Sequence, residues 1–508
     1  MTEIVQLPPP PASYHDDNDL WLDEQIWGHR LWEQDPWLLF LEFLSVAEAS
    51  HATGQLFAAD ATQFPFSFRP AQRPYLRNLL FNNDKLLELA DLYPDNETGW
   101  AKWLEWMQSN AKMVAHRDFS YLKNRFQNFE QLVKIIEMLR SATIESSMNK
   151  RWSSRFVFPF GRHAIYEDLN TEENREYINF TRNGDLLYQM LARSSAAPEL
   201  ARHFAHLFER RDPCDRLTEL LQPEIAEERH TRSGSYLPYA KHPAFEVLAQ
   251  DWLAVLELQL PRFDAYPYLT ILGALHIALY QLQVAAHVCD KPKPHFICEV
   301  VAPKKTLVRE LSAGNYIANN QLSLSAVDTY VRNIGNSPEW ISAAAEQSEF
   351  AACREIMREK VRWPDEDYTG PVDPDALLEN LRHTAQRRHR QHTANIHNSL
   401  GRGAGLVSRR GTNRLRYAPT DELLKALILA NVPVRMDYGQ FLGRLYDRYG
   451  LVFGEQEGQL AITTEDFDKR AFQANASRLE NRLKTIGMLR RLSDACAYVE
   501  NPLRRSAA

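Results

Sequence analysis

Apolar residues three and four positions apart mark most of this chain as helical. Trp27, Leu31, Trp37, Leu41 and Leu44 recur at that spacing, and Asp35-Pro36 supplies a cap and first-turn pair for a helix running through Glu48. The same period predicts helices over 83–92, 97–107, 128–141 and 184–193. It continues over 243–260 and 266–288, where dense leucine, alanine and aromatic positions suit the interior of a bundle. Helical patterning resumes over 306–309, 319–332 and 339–360. Strand patterns are few. One is the aromatic run Phe156, Val157, Phe158, which breaks at Pro159; the other is a short apolar run over 295–301, after the breakers at 291–294. The expected fold class is mainly α.

The end of the chain follows a different order. Thr420 caps a helix with Leu423, Leu424, Leu427 and Ile428 on one face, Pro433 breaks it, and a second helix spans 438–449 with Gly450 as its C-cap. After Leu451-Val452-Phe453 and an acidic loop over 455–466 comes a third helix, over 468–486. Short strands over 488–491 and 497–499 then flank Ser493-Asp494 as a hairpin. Helix, helix, helix, hairpin is the order of a winged helix, whose third helix normally enters the major groove. The organisation expected is a proline-rich tail (1–20), a tryptophan-rich helical domain (21–150) and a mainly helical middle domain with short strands (151–362). A linker and helix start (363–381), a basic arm (382–417) and a winged-helix domain (418–508) complete it.

Charge sharpens the picture. The chain of 508 residues has a formal net charge of −7, yet 382–416 holds nine arginines, four histidines and no acid. A local excess against a mildly acidic background points to a polyanion, and DNA is the simplest one. Gly401, Gly403, Gly405 and Gly411 suggest that part of this arm is flexible. The candidate DNA contacts are Arg387, Arg388, Arg390, Arg402, Arg409, Arg410, Arg414 and Arg416 in the arm, Arg470, Arg478 and Arg482 on the third helix, and Arg490 and Arg491 on the hairpin. The acidic loop and Asp494 count against a DNA-facing role for those edges.

Catalytic motifs are absent. There is no phosphate-binding GxxxxGK[ST], no GxGxxG after a strand, no HExxH and no GxSxG. Glu299 and Lys304 stand five apart with Pro303 between them, too far to share a metal-bound water as the acid and lysine of a nuclease strand do. Five dispersed cysteines form no zinc-like pattern, and His383, His389, His392 and His397 lie among arginines that repel a cation, so no metal and no cofactor are expected. His276 and His287 read as histidines on apolar helices. Were the chain a nuclease with a non-standard site, Arg162, His163, Glu167 and Asp168 would be its first candidates. The polar amino terminus is unlike a signal peptide and no apolar run is read as membrane-spanning, so a cytoplasmic protein without a membrane partner is expected.

The closing pattern Tyr446-Asp447-Arg448-Tyr449-Gly450, the stretch 479–483, and 489–499 with its Ser493-Asp494 and Tyr498-Val499 resemble accessory proteins of prokaryotic antiphage defence islands. This region, under a fifth of the chain, loosely resembles the G subunit of phosphorothioation-dependent DNA restriction. The resemblance implies a non-catalytic subunit working with other defence-complex subunits, such as a separate ATPase or nuclease. The other reading is a scaffold whose winged helix binds proteins.

Overall fold

A computed structural model of the protein describes residues 3–504 other than 9, 11–19, 29–30, 59–65, 115, 146–154, 167–181, 226–228, 346–348, 364–367, 410–413, 463–466 and 494–495. It is mainly α-helical, and its sheets have only two or three strands. The hub is the helix Arg262–Val288, buried along nearly its whole length because leucine, alanine and tyrosine occupy every side of it. Around it pack Pro36–Ala52, Pro243–Leu256, Leu307–Gly335, Ile396–Gly403 and Asp421–Asn431. By length and composition alone this hub could cross a membrane, contrary to the sequence reading. In the fold, 89% of its most apolar window is buried inside the protein.

One apolar core runs from Leu20 to Val499, with no break at residue 418. A second, formed by Tyr75, Leu79, Trp100, Trp103, Leu132 and Ile136, belongs to the helices between residues 74 and 141. The two meet across Pro36–Ala52, which gives Leu39, Phe40 and Phe43 to the first and Leu38 and Leu41 to the second. That division explains why the helix is buried on so many sides. It starts where Asp35 accepts from the Trp37 amide at 2.9 Å, with Pro36 in the first turn.

Three local expectations change. The two helical stretches expected over 306–309 and 319–332 are one helix, Leu307–Gly335. Within it Asn319 is drawn inward, donating to the His295 carbonyl and the Tyr417 hydroxyl. The strand expected over 295–301 shrinks to Phe296–Ile297, paired in parallel with Leu451–Val452. Beyond it, the Glu299 and Val300 amides turn to the Tyr417 carbonyl and the Asn475 side chain. The acidic stretch after 454 begins as a short helix, Glu455–Ala461, with Glu457 buried; residues 463–466 are outside the described set.

The basic arm is not a flexible tail among its described residues. It is two helices, Pro374–Gln391 and Ile396–Gly403, followed by a hairpin of Val407–Ser408 against Arg416–Tyr417. Its glycines serve close packing. Gly405 has φ +80°, and a Cβ there would lie 2.3 Å from the Thr420 hydroxyl; one on Gly403 would lie 2.4 Å from the Pro36 ring. Gly411 and Arg410 lie outside the described residues.

Candidate nucleic-acid interface

After Asp421–Asn431, the strand Arg435–Asp437 leads into Tyr438–Tyr449, with the Asp437 carboxylate accepting from the Gly439 and Gln440 amides and Gly450 closing the helix at φ 78°. The helix Lys469–Thr485 and the strands Leu489–Ser493 and Cys496–Glu500 follow. Cys496–Glu500 is the middle strand of a three-stranded antiparallel sheet, flanked by Arg435–Asp437 and Leu489–Ser493.

Lys469–Thr485 buries Phe472, Leu479 and Leu483, and one polar side chain, Asn475. Asn475 donates to the Cys298 and Phe453 carbonyls, both at 3.0 Å, and accepts from the Val300 amide at 2.9 Å. This three-way bond fixes the rotation of the helix against the body. The exposed residues are then Lys469, Arg470, Gln473, Ala474, Ser477, Asn481, Lys484 and Thr485, none of them acidic. Arg470, Ser477, Asn481 and Lys484 recur at three-, four- and seven-residue intervals and so share one face. Glu480 is half-buried at the margin, 3.4 Å from Arg491.

Two arginines expected to face DNA instead hold this helix in place. Arg478 reaches the Val300 carbonyl at 3.3 Å; Arg482 binds Asp421 at 2.6 Å and the Pro419 carbonyl at 2.9 Å. Arg416 is fully buried and paired with Glu299, itself fully buried, which also removes Glu299 from any nuclease-like arrangement with Lys304. Arg470 and Arg490 are exposed, as is Arg491 beside Glu480. Arg409 and Arg414 are exposed at the end of the Val407–Ser408 hairpin; Tyr417 of that hairpin bonds Glu299, next to the Val300 that Arg478 touches.

Arg387, Arg390 and Arg402 are exposed and Arg388 is half-buried, but the arginines of the Pro374–Gln391 helix stand apart from the third helix. The helix Leu307–Gly335 acts as a ruler. Val308 shares a core with Phe472, Ser323 bonds His389, and Asp328 bonds Gln386. Fifteen and twenty residues at 1.5 Å each put these levels about 22 and 30 Å from Val308. The charges read as one patch in sequence are thus spread along the molecule.

Two of the histidines among them point inward, while His383 is exposed beside Glu379. His389 is fully buried, with Nδ1 3.0 Å from Asp23 and Nε2 3.0 Å from the Ser323 hydroxyl, and stacks on Trp27. These are the contacts of a Ser-His-Asp triad, which sequence spacing gave no hint of, since 366 residues separate Asp23 from His389. Asp23, Ser323 and His389 are only 6%, 2% and 0% exposed, so the trio locks three elements together and presents no nucleophile. His397 is also buried, its ring bonded to Tyr417 at 2.9 Å and Asn320 at 3.3 Å, and burial pushes its pKa down to about 3. Elsewhere, His163 lies 3.9 Å from Glu219, with its amide donating to Asp215, and burial lowers its pKa; Glu167 and Asp168 lie outside the described residues. No group of three His, Cys, Asp or Glu side chains suited to a metal occurs among the described residues.

No protein family, curated protein or solved structure matches this chain.

Proposed function

We propose that the chain is a cytoplasmic, non-catalytic DNA-binding subunit of a multi-protein assembly, and that its end is a winged helix with Lys469–Thr485 as the recognition helix. The observation that carries this reading is the outer face of that helix, whose own exposed residues include no acid and combine charge from Arg470 and Lys484 with the neutral hydrogen-bonding groups Ser477 and Asn481; at its edge Glu455 holds Lys469 and Gln473 at 2.6 and 2.7 Å. Arginine and lysine neutralise phosphates, while asparagine, glutamine and serine bond base edges. The strand between helices one and two pairs with the last strand of the hairpin, as the winged-helix topology requires. Arg490 extends the positive surface onto the wing. The place in a prokaryotic defence complex, beside an ATPase or nuclease, rests on the resemblance of the closing segment.

Binding of the full chain to a labelled duplex across a salt series tests the reading. The double variant Arg470→Ala/Lys484→Ala is expected to weaken binding and to lower the slope of log K against log salt by about 2, close to 0.9 per lost phosphate contact. An unchanged slope sinks the proposal. A protein-binding scaffold is the second reading, favoured by Leu460 and Leu492, which are 68% and 58% exposed in this region. Stable partners co-purifying with a chain that shows no salt-sensitive duplex binding would establish it.

A further inference from the structure

A cavity of about 270 Å³ lies where the helices Pro243–Leu256 and Arg262–Val288 meet the last turn of Tyr438–Tyr449. Its polar wall includes His242, His276, Gln283, His287, Lys291, Lys293 and Arg448, and among the described residues no carboxylate lines it. One acid behind this wall, Asp251, is fully buried and already engaged. It is 2.7 Å from His276 Nε2, accepts from the Tyr449 hydroxyl at 2.7 Å, and is ion-paired with Arg448. Arg448 also donates to Gln250 at 2.8 Å, so its guanidinium is held in one position.

Lys293 is placed as firmly. Its ammonium donates to the Asp447 and Arg448 carbonyls at 2.8 and 3.0 Å, which orient it, while the Asp447 carboxylate offsets part of its charge. His242 caps the helix Pro243–Leu256 by accepting from the Ala244 amide through Nδ1 at 3.1 Å, and burial beside His287 keeps its pKa near about 4. Its proton at neutral pH is therefore on Nε2, which makes that nitrogen a donor. Pro243 and Ala244 also line the cavity, so the positive end of that 14-residue helix opens on it. With Arg448 matched by Asp251 and Lys293 partly offset by Asp447, the ammonium groups of Lys291 and Lys293 leave a net charge of about +1 to +2 facing the cavity, which favours a phosphate monoester dianion over a monocarboxylate. Ile4, Val247 and Leu279 form an apolar wall beside them.

We propose that this cavity binds a phosphate monoester with a small apolar or planar body. The site is independent of the DNA-binding reading. Its position is notable for that reading, because Arg448 and the carbonyls held by Lys293 belong to the second helix of the DNA-binding region.

Calorimetry of the full chain with phenyl phosphate is the test, with benzoate as the monoanion of similar body. Phenyl phosphate is expected to bind with a Kd on the order of 1 mM or tighter, benzoate about tenfold or more weaker, and exposed Lys291→Ala to cost about tenfold. Loss of salt-dependent duplex binding is not expected in Lys291→Ala, which separates this test from the previous one. Binding of a 5′-phosphorylated oligonucleotide above its 5′-hydroxyl form, dependent on Lys291, would identify a nucleic-acid end as the source of the phosphate; phenyl phosphate binding alone would identify a free small molecule. No binding of phenyl phosphate, or equal binding by wild type and Lys291→Ala, overturns the proposal.

Discussion

Glu42 shows how far one side chain can depart from what its sequence position suggests. It sits mid-helix in an apolar run, yet its carboxyl is buried and caps the helix Asn183–Ala192, accepting from the Arg182 amide and from the Gly184 amide at 2.9 Å. Burial dominates those bonds, and with nearby Asp185 it pushes the pKa up from 4.5 to about 8. The folded protein therefore keeps a proton that the unfolded chain releases near pH 4.5. The stability this adds is fully present below that pH and is lost as pH rises through about 8, at up to about 1.4 kcal/mol per pH unit. Between pH of about 7 and 8.5, above the range where His242 and His397 titrate, the wild-type melting temperature should fall. In Glu42→Gln that component should vanish, whatever the variant's absolute stability. Parallel pH profiles for the two proteins would refute it.

Among elements, glycines separate those that sequence could place from those it could not. Gly314 lies within Leu307–Gly335, exposed, with nothing within 4 Å of an added Cβ. Gly314→Ala should therefore stabilise the protein by about 0.5–1 kcal/mol. Gly405→Ala should destabilise it by about 1–3 kcal/mol, because the position combines φ +80° with the Thr420 contact. Thermal denaturation of both variants checks the signs, and a neutral Gly405→Ala would restore the flexible-arm view. The helix Tyr438–Tyr449 was legible because cap, apolar face and closing glycine all lie within its own sequence. The two helices of the basic segment were missed because charge and glycine content outweighed Leu377, Leu381, Ala385 and His389, spaced at helical intervals and buried.

At the scale of the molecule, the closing segment is part of the body. Leu423, Leu427, Phe441, Leu445 and Tyr449 share a core with residues as distant as Leu20, and Leu451–Val452 pairs with Phe296–Ile297. Removing residues 382–508 should yield an insoluble or molten chain, since it strips apolar partners from the hub helix. Size-exclusion chromatography and near-ultraviolet circular dichroism of the truncated chain check this. A compact, cooperatively folding remainder would show the segment to be separable.

By itself the sequence determined the mainly helical class, most helix positions in the body, and the succession of three helices and a closing hairpin over 420–500, without the strand Arg435–Asp437 or the helix Glu455–Ala461. These follow from period, caps and breakers, which act within a few residues. Only the tertiary structure decided which charges remain outside. Arg416 finds Glu299, Arg482 finds Asp421, and His389 finds Asp23 across separations of 61 to 366 residues. It likewise assembled the cavity from His242, Lys293 and Arg448. Burying a charge is unfavourable without a partner, and that partner need not be anywhere near in sequence.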